Sequence, residues 1–186
     1  MIWESWPWKQ ELLVHLKTIE SSISLISIDQ TEDEHNLWVF NLERAIFYSA
    51  YIVRKLIENR KLTDSCSNYK IKLSVHTAKR PNVTIHSALG FEMGQDFETQ
   101  PRNIIELNID KLMSELIHSS LLEWHSDDGE SFTSMFISSY KNRNKRALKL
   151  DFSQYCKILY MVGNDEVTTS EFYLDSGSGK LEVKLR

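Results

Sequence analysis

Glycine and proline are scarce, six and three in 186 residues. That excludes collagen-like and low-complexity chains and predicts that most of the sequence lies in regular elements, with few long loops. Cysteine is scarcer still. Cys66 and Cys156 are the only two, with no close spacing, which removes a disulfide scaffold, a zinc ribbon and a Cys-x-x-Cys redox motif, and favours a reducing cytoplasm. No apolar run approaches the ~20 residues that span a bilayer, and the first residues carry Glu4 where a secretory leader would carry cations. The expectation is a cytoplasmic protein with no membrane partner. Also missing are a Gly-x-Ser-x-Gly elbow, a P-loop, a dinucleotide fingerprint and a His-Glu-x-x-His helix, so no cofactor, metal or catalytic group is assigned.

What is present suits a globular fold. Hydrophobic residues make up 41% and charged residues 26%, with five Trp, seven Tyr and eight Phe available for a core. A chain of this length buries roughly 70% of its unfolded surface in one domain, read here as residues 1–186.

Hydrophobic periodicity then gives the elements. A first helix starts near Ser5 with Pro7 in its opening turn, where a missing amide costs nothing, and Trp8, Leu12, Leu16, Ile19 and Ile23 form its apolar stripe. Thr31-Glu-Asp-Glu34 is a capping box, from which a long helix runs to about Lys61 on the stripe Trp38, Leu42, Ala45, Ile46, Ser49, Val53, Leu56 and Ile57. Around Tyr69 the period changes to two. Tyr69, Ile71, Leu73, Val75 and Thr77 alternate with Lys70, Lys72, Ser74 and His76, which predicts a strand with one polar face. The stretch NVTIHS, Asn82 to Ser87, repeats the alternation, so the two predict a hairpin turning at Lys79-Arg-Pro81, and the stretch from Gly90 to Asn103 reads as a loop.

Asn108 is placed to cap a third long helix, with Ile109, Leu112, Met113, Leu116, Ser120, Leu121 and Trp124 on one face. Two strands follow, SFTSMFISSY and RALKLD, then a short helix that Asp151 and Gln154 could cap, then a C-terminal hairpin turning at DSGSG. Hairpin-linked strands imply an antiparallel sheet, and the helices must bury their stripes on it. The fold class expected is α+β, with two or three long helices packed on one face of the sheet.

One stretch departs from the chain's overall sign. Between Tyr140 and Asp151 lie Lys141, Arg143, Lys145, Arg146 and Lys149, while the whole chain carries a formal net charge of -4. Without those five, 17 cationic side chains face 26 carboxylates. Placed at a hairpin tip they could meet phosphates, or they could simply discourage edge-to-edge pairing of strands. Lys79 and Arg80 form a second cationic spot at another turn, and the two would make one surface if both turns point to the same end of the sheet. The expected function is therefore a non-enzymatic binding module. It engages an acidic partner, nucleic acid ahead of an acidic protein surface, through Lys141, Arg143, Lys145, Arg146, Lys149 and Arg80.

Two other classes compete. A small nuclease or nuclease-like toxin would draw its acid–base groups from His76, Arg80 and His86, or from His118 and His125. Arg80 and His86 match superficially the Arg-x(4-6)-His spacing of HEPN-type ribonucleases, but that pattern works on a helix, and Pro81, Val83, Thr84 and Ile85 favour a strand. An immunity or accessory protein would instead bind through Trp3, Trp6 and Trp8, unless these indoles clamp the first helix to the core. Glu115 to His118 and Glu32 to His35 share the Glu-x-x-His spacing of di-metal bundles, yet the further glutamate-bearing long helices such a site requires are not apparent.

Overall fold

The computed structural model describes residues 2–24, 31–79, 93–127, 129–174, 177 and 181–186. Within them the chain forms α1 (Trp6–Ile23), α2 (Glu32–Glu58), α3 (Asp64–Ser67), β1 (Lys70–Thr77), α4 (Met93–Asp96), β2 (Asn103–Asn108), α5 (Ile109–Ile117), β3 (Ser119–His125), β4 (Ser134–Ser139), β5 (Arg146–Asp151), α6 (Phe152–Gly163), β6 (Ser170–Leu174) and β7 (Leu181–Leu185). Strands β1 to β5 make an antiparallel sheet in the order β2-β1-β5-β4-β3, and β6 and β7 pair separately. This is the expected α+β class. Among the described residues no helix is long and apolar enough to cross a membrane.

Local chemistry explains where the helices begin and end. Thr31 Oγ1 accepts from the Glu34 amide while a Glu34 carboxylate oxygen accepts from the Thr31 amide at 2.9 Å, so α2 opens with the reciprocal box that its sequence spells. It closes differently. Arg60 donates its amide to Ile57 O and Lys61 donates to Leu56 O, the paired bonds of a Schellman motif, with Arg60 at φ 54 where glycine is the usual occupant. Asn108 caps α5 through its side chain, but Asp151 makes no capping hydrogen bond to α6.

One apolar core joins α1, α2, α5 and α6 to alternate sheet residues, among them Ile71, Leu73, Val75, Met135, Ile137, Leu148 and Leu150. At its centre the Tyr155 hydroxyl donates to Ile46 O at 3.1 Å and lies 2.7 Å from Ser49 Oγ, so the buried phenol is satisfied. A second, smaller cluster of Phe97, Leu121 and Ala147 sits beside Ala78 and Met93.

Several expectations need correction. His76, assigned to a polar strand face, is only 3% exposed, because that side of the sheet is also covered near its middle; every residue of β4 is buried. Both edges of β1 are occupied, by β2 and β5, so β1 is an interior strand; the expected hairpin partner, residues 82–87, lies outside the described residues. The expected loop from Gly90 to Asn103 contains α4, and Asn103 already begins β2. The third helix ends at Ile117, and Ser119–His125 is instead an edge strand paired with β4. Finally, Trp3 and Trp6 are 82% and 68% exposed, so they clamp nothing; Ile2 is buried in their place and its amide donates to Asn59 Oδ1.

Candidate anion-binding end of the sheet

The turn between β4 and β5 is held by its own backbone. The Asn142 and Arg143 amides both donate to Ser139 O at 2.8 Å, and Lys145 and Arg146 both donate to Asn142 O, at 2.7 and 3.0 Å. The Asn142 side chain ties the turn to α5 by donating to Glu115 Oε1 at 2.8 Å, and Arg146 approaches the same oxygen at 3.4 Å. A basic tip is thereby docked on the end of a helix.

Strand alternation separates the five cations. Arg146 pairs with Thr77 and turns to α5, whereas Lys149, three residues on, must face the other way. There its ammonium stands 5.9 Å from the Phe136 ring, which His76 and His125 also meet edge-on, at 5.1 and 5.7 Å. Lys141 and Lys145 are exposed, and neither forms an ion pair among the described residues. Arg143 stacks with its guanidinium carbon 3.4 Å from the centre of the Tyr140 ring and donates to Tyr140 O, and this cation lowers the phenol's pKa through a side-chain hydrogen bond and its charge.

Between the tip and α5 lies a cavity of about 700 Å³ lined by Lys111, His118, Tyr140, Lys141, Asn142 and Arg146, among others. Its charge is three cations against the Glu115 carboxylate. Sheet register brings the backbone of the second cationic spot to the same turn, although Lys79 does not line the cavity: Thr77 is paired with Arg146 and the Ala78 amide donates to Lys145 O at 3.0 Å. The Lys79 ammonium donates to Gly94 O. Arg80 and His86 lie outside the described residues.

Of the histidines, His118 is exposed in this cavity, while His76 is buried with Nδ1 against Glu98 O at 2.9 Å, and burial lowers its pKa. His125 bonds Asp127 at 3.2 Å on the opposite side of the sheet from the cavity. His118 and His125, named together as an acid–base pair, are therefore not brought together. Sequence reasoning missed Lys111 and the cavity itself, because Lys111 belongs to α5 and only the tertiary fold lays α5 against the turn. Comparison with known protein families, with curated proteins and with solved structures finds no match to this chain.

Proposed function

We propose that the protein is a non-enzymatic binding module that holds single-stranded nucleic acid at the β4–β5 end of its sheet. The observation that supports this reading is the cavity that Lys111 and Lys141 line together, next to the turn that carries Lys145 and that the pairing of Thr77 with Arg146 sets beside the backbone of Lys79. Exposed ammonium groups supply phosphate contacts. Tyr140, 69% exposed with a guanidinium on one ring face, supplies a flat aromatic surface of the kind on which bases stack, and this favours nucleic acid over an acidic protein. So few cations imply affinity on the order of micromolar, falling with salt.

The test is fluorescence anisotropy with a labelled poly-pyrimidine RNA across a salt series. Replacing Lys141 and Lys145 together by Ala should weaken binding and flatten the slope of log K against log salt by about 1.4, since each single-strand phosphate contact contributes about 0.7. Lys149→Ala, on the far face, should leave both unchanged. Equal binding by the double variant and the parent refutes the reading. RNA cleavage that depends on His118, exposed in the same cavity, would transfer the site to the nuclease reading.

A further inference from the structure

The phase of α1 places Lys9, not Trp8, on its inner side, and Lys9 is only 7% exposed. Its ammonium donates to the carbonyl oxygen of Asp165, just beyond the end of α6. A buried ammonium has three donors to satisfy and is costly to leave without a counter-charge. The carboxylate of Asp165, although nearby, does not come within ion-pair distance of it. Both carboxylate oxygens of Asp165 are engaged by Thr63, through its amide and its hydroxyl, each at 2.7 Å, and no carboxylate among the described residues lies within ion-pair distance of Lys9.

Lys9 lines a cavity of about 560 Å³ walled by the start of α1, the end of α2, the segment after α6 and the β6–β7 pair. Such a volume is within the range of small-ligand sites. Arg60 lines it as well, from the left-handed position that closes α2. Glycine would occupy that position without strain, and Arg60 instead brings a long cationic side chain to the cavity wall. Among the described residues the other charged groups lining the cavity are Lys61, whose ammonium donates to Trp3 O, the Asp165 carboxylate that accepts from Thr63, and the exposed Glu166. Trp6 adds an exposed indole at the rim.

We propose that this cavity is a binding site for a small organic oxyanion, its acidic group received by Lys9 and Arg60 and its apolar body resting on Trp6. A bound carboxylate or phosphate would give the Lys9 ammonium the close ion pair that no carboxylate among the described residues gives it. Titration calorimetry with phenyl phosphate, benzoate and inorganic phosphate tests it and separates the two acid chemistries and the contribution of the apolar body. Saturable 1:1 binding of phenyl phosphate or benzoate is expected, weakened by about tenfold or more in Lys9→Met, which keeps the shape and removes one charge-assisted donor. Arg60→Gly should weaken it too, and because glycine suits the backbone there, that variant tests the site even if Lys9→Met does not fold. The Lys141→Ala/Lys145→Ala variant should bind these probes as the parent does, which keeps this site separate from the tip. Absence of saturable binding for all three probes, or affinity unchanged in a folded Lys9→Met or in Arg60→Gly, overturns the proposal.

Discussion

Gly163 is the last residue of α6 and holds that helix against α1. A Cβ placed there would lie 2.5 Å from Leu13 Cδ2 and 2.8 Å from Leu13 Cγ, against an ordinary carbon–carbon contact of about 3.5–4.0 Å. Gly163→Ala therefore forces Leu13 aside or moves α1. Overpacking of this kind costs about 1–3 kcal/mol, and the gain in helix propensity from Gly to Ala is at most ~1 kcal/mol, so a net loss of about 1–2 kcal/mol is expected. For a chain of this size that corresponds to a Tm lower by roughly 2–8 °C. Urea unfolding followed by circular dichroism measures it directly. The double variant Leu13→Ala/Gly163→Ala isolates the cause: truncating Leu13 removes the obstruction, so Gly163→Ala should become neutral or stabilising in that background, a coupling of about 1 kcal/mol or more. A Gly163→Ala protein as stable as the parent, with no coupling in the cycle, would show that the α1–α6 approach is not as close as described. The same approach brings Lys9 to Asp165, so a loosened α1 should also weaken oxyanion binding at the cavity between them.

Acid should destabilise the protein from near pH 6.5 downward. Burial lowers the pKa of His15, where Glu11 works against burial and Arg44 with it, and of His76, where the Glu98 carbonyl works against it and Lys149 with it. Both imidazoles stay neutral in the fold while the unfolded chain takes up protons below its ordinary value, so their stabilising effect is complete above that value and is lost as pH falls towards the folded ones; each adds a slope of up to ~1.4 kcal/mol per pH unit. Urea midpoints between pH 7.5 and 5 check the sign, and a flat profile over that range would contradict it. The thiols should be inert in the fold, because burial pushes Cys66 to about 12 and Cys156 to about 11. An aromatic disulfide reagent at pH 8 should label both within seconds in denaturant and only slowly without it, since the thiolate is the reacting form; rapid labelling of the native protein would refute this.

The parts of the fold written in local chemistry were legible. Thr31 and Glu34 announce the start of α2 by their spacing, and the stretches SMFISS and RALKLD on either side of the polar KNRN mark β4 and β5. The misread elements depend on partners distant in sequence. Leu121 and Trp124 fit a helical stripe extended from α5 as well as they fit a strand, and only pairing with β4 decides between them. β2 is an edge strand with Ile104 67% exposed, so its sequence lacks the alternation that a half-buried strand shows. In α1 a shift of one residue exchanges Trp8 for Lys9 on the inner side, a substitution that no hydrophobicity argument would choose. The close of α2 was hidden for a related reason: Arg60 stands where the sequence signal would have been a glycine.

The candidate site shows why a run of charges in sequence is not yet a surface. Side chains of odd separation on one strand point to opposite faces, so Arg146 and Lys149 cannot act on one ligand from the same side of the sheet, and Glu115 already offsets Arg146. That leaves Lys141 and Lys145 as the ammonium groups of the tip without an ion pair among the described residues, with Arg143 committed in part to the Tyr140 ring. The loss is offset from elsewhere in the chain. The backbone of Lys79 comes beside the turn because β1 and β5 are antiparallel neighbours, while its ammonium donates to Gly94 O on α4. Lys111 and Lys141 line one cavity, so a phosphate entering it meets both, with the exposed Lys145 on the adjoining turn. Sheet order sets the two turns side by side: in any arrangement that did not seat β1 beside β5, the same sequence would present two cationic turns apart from one another.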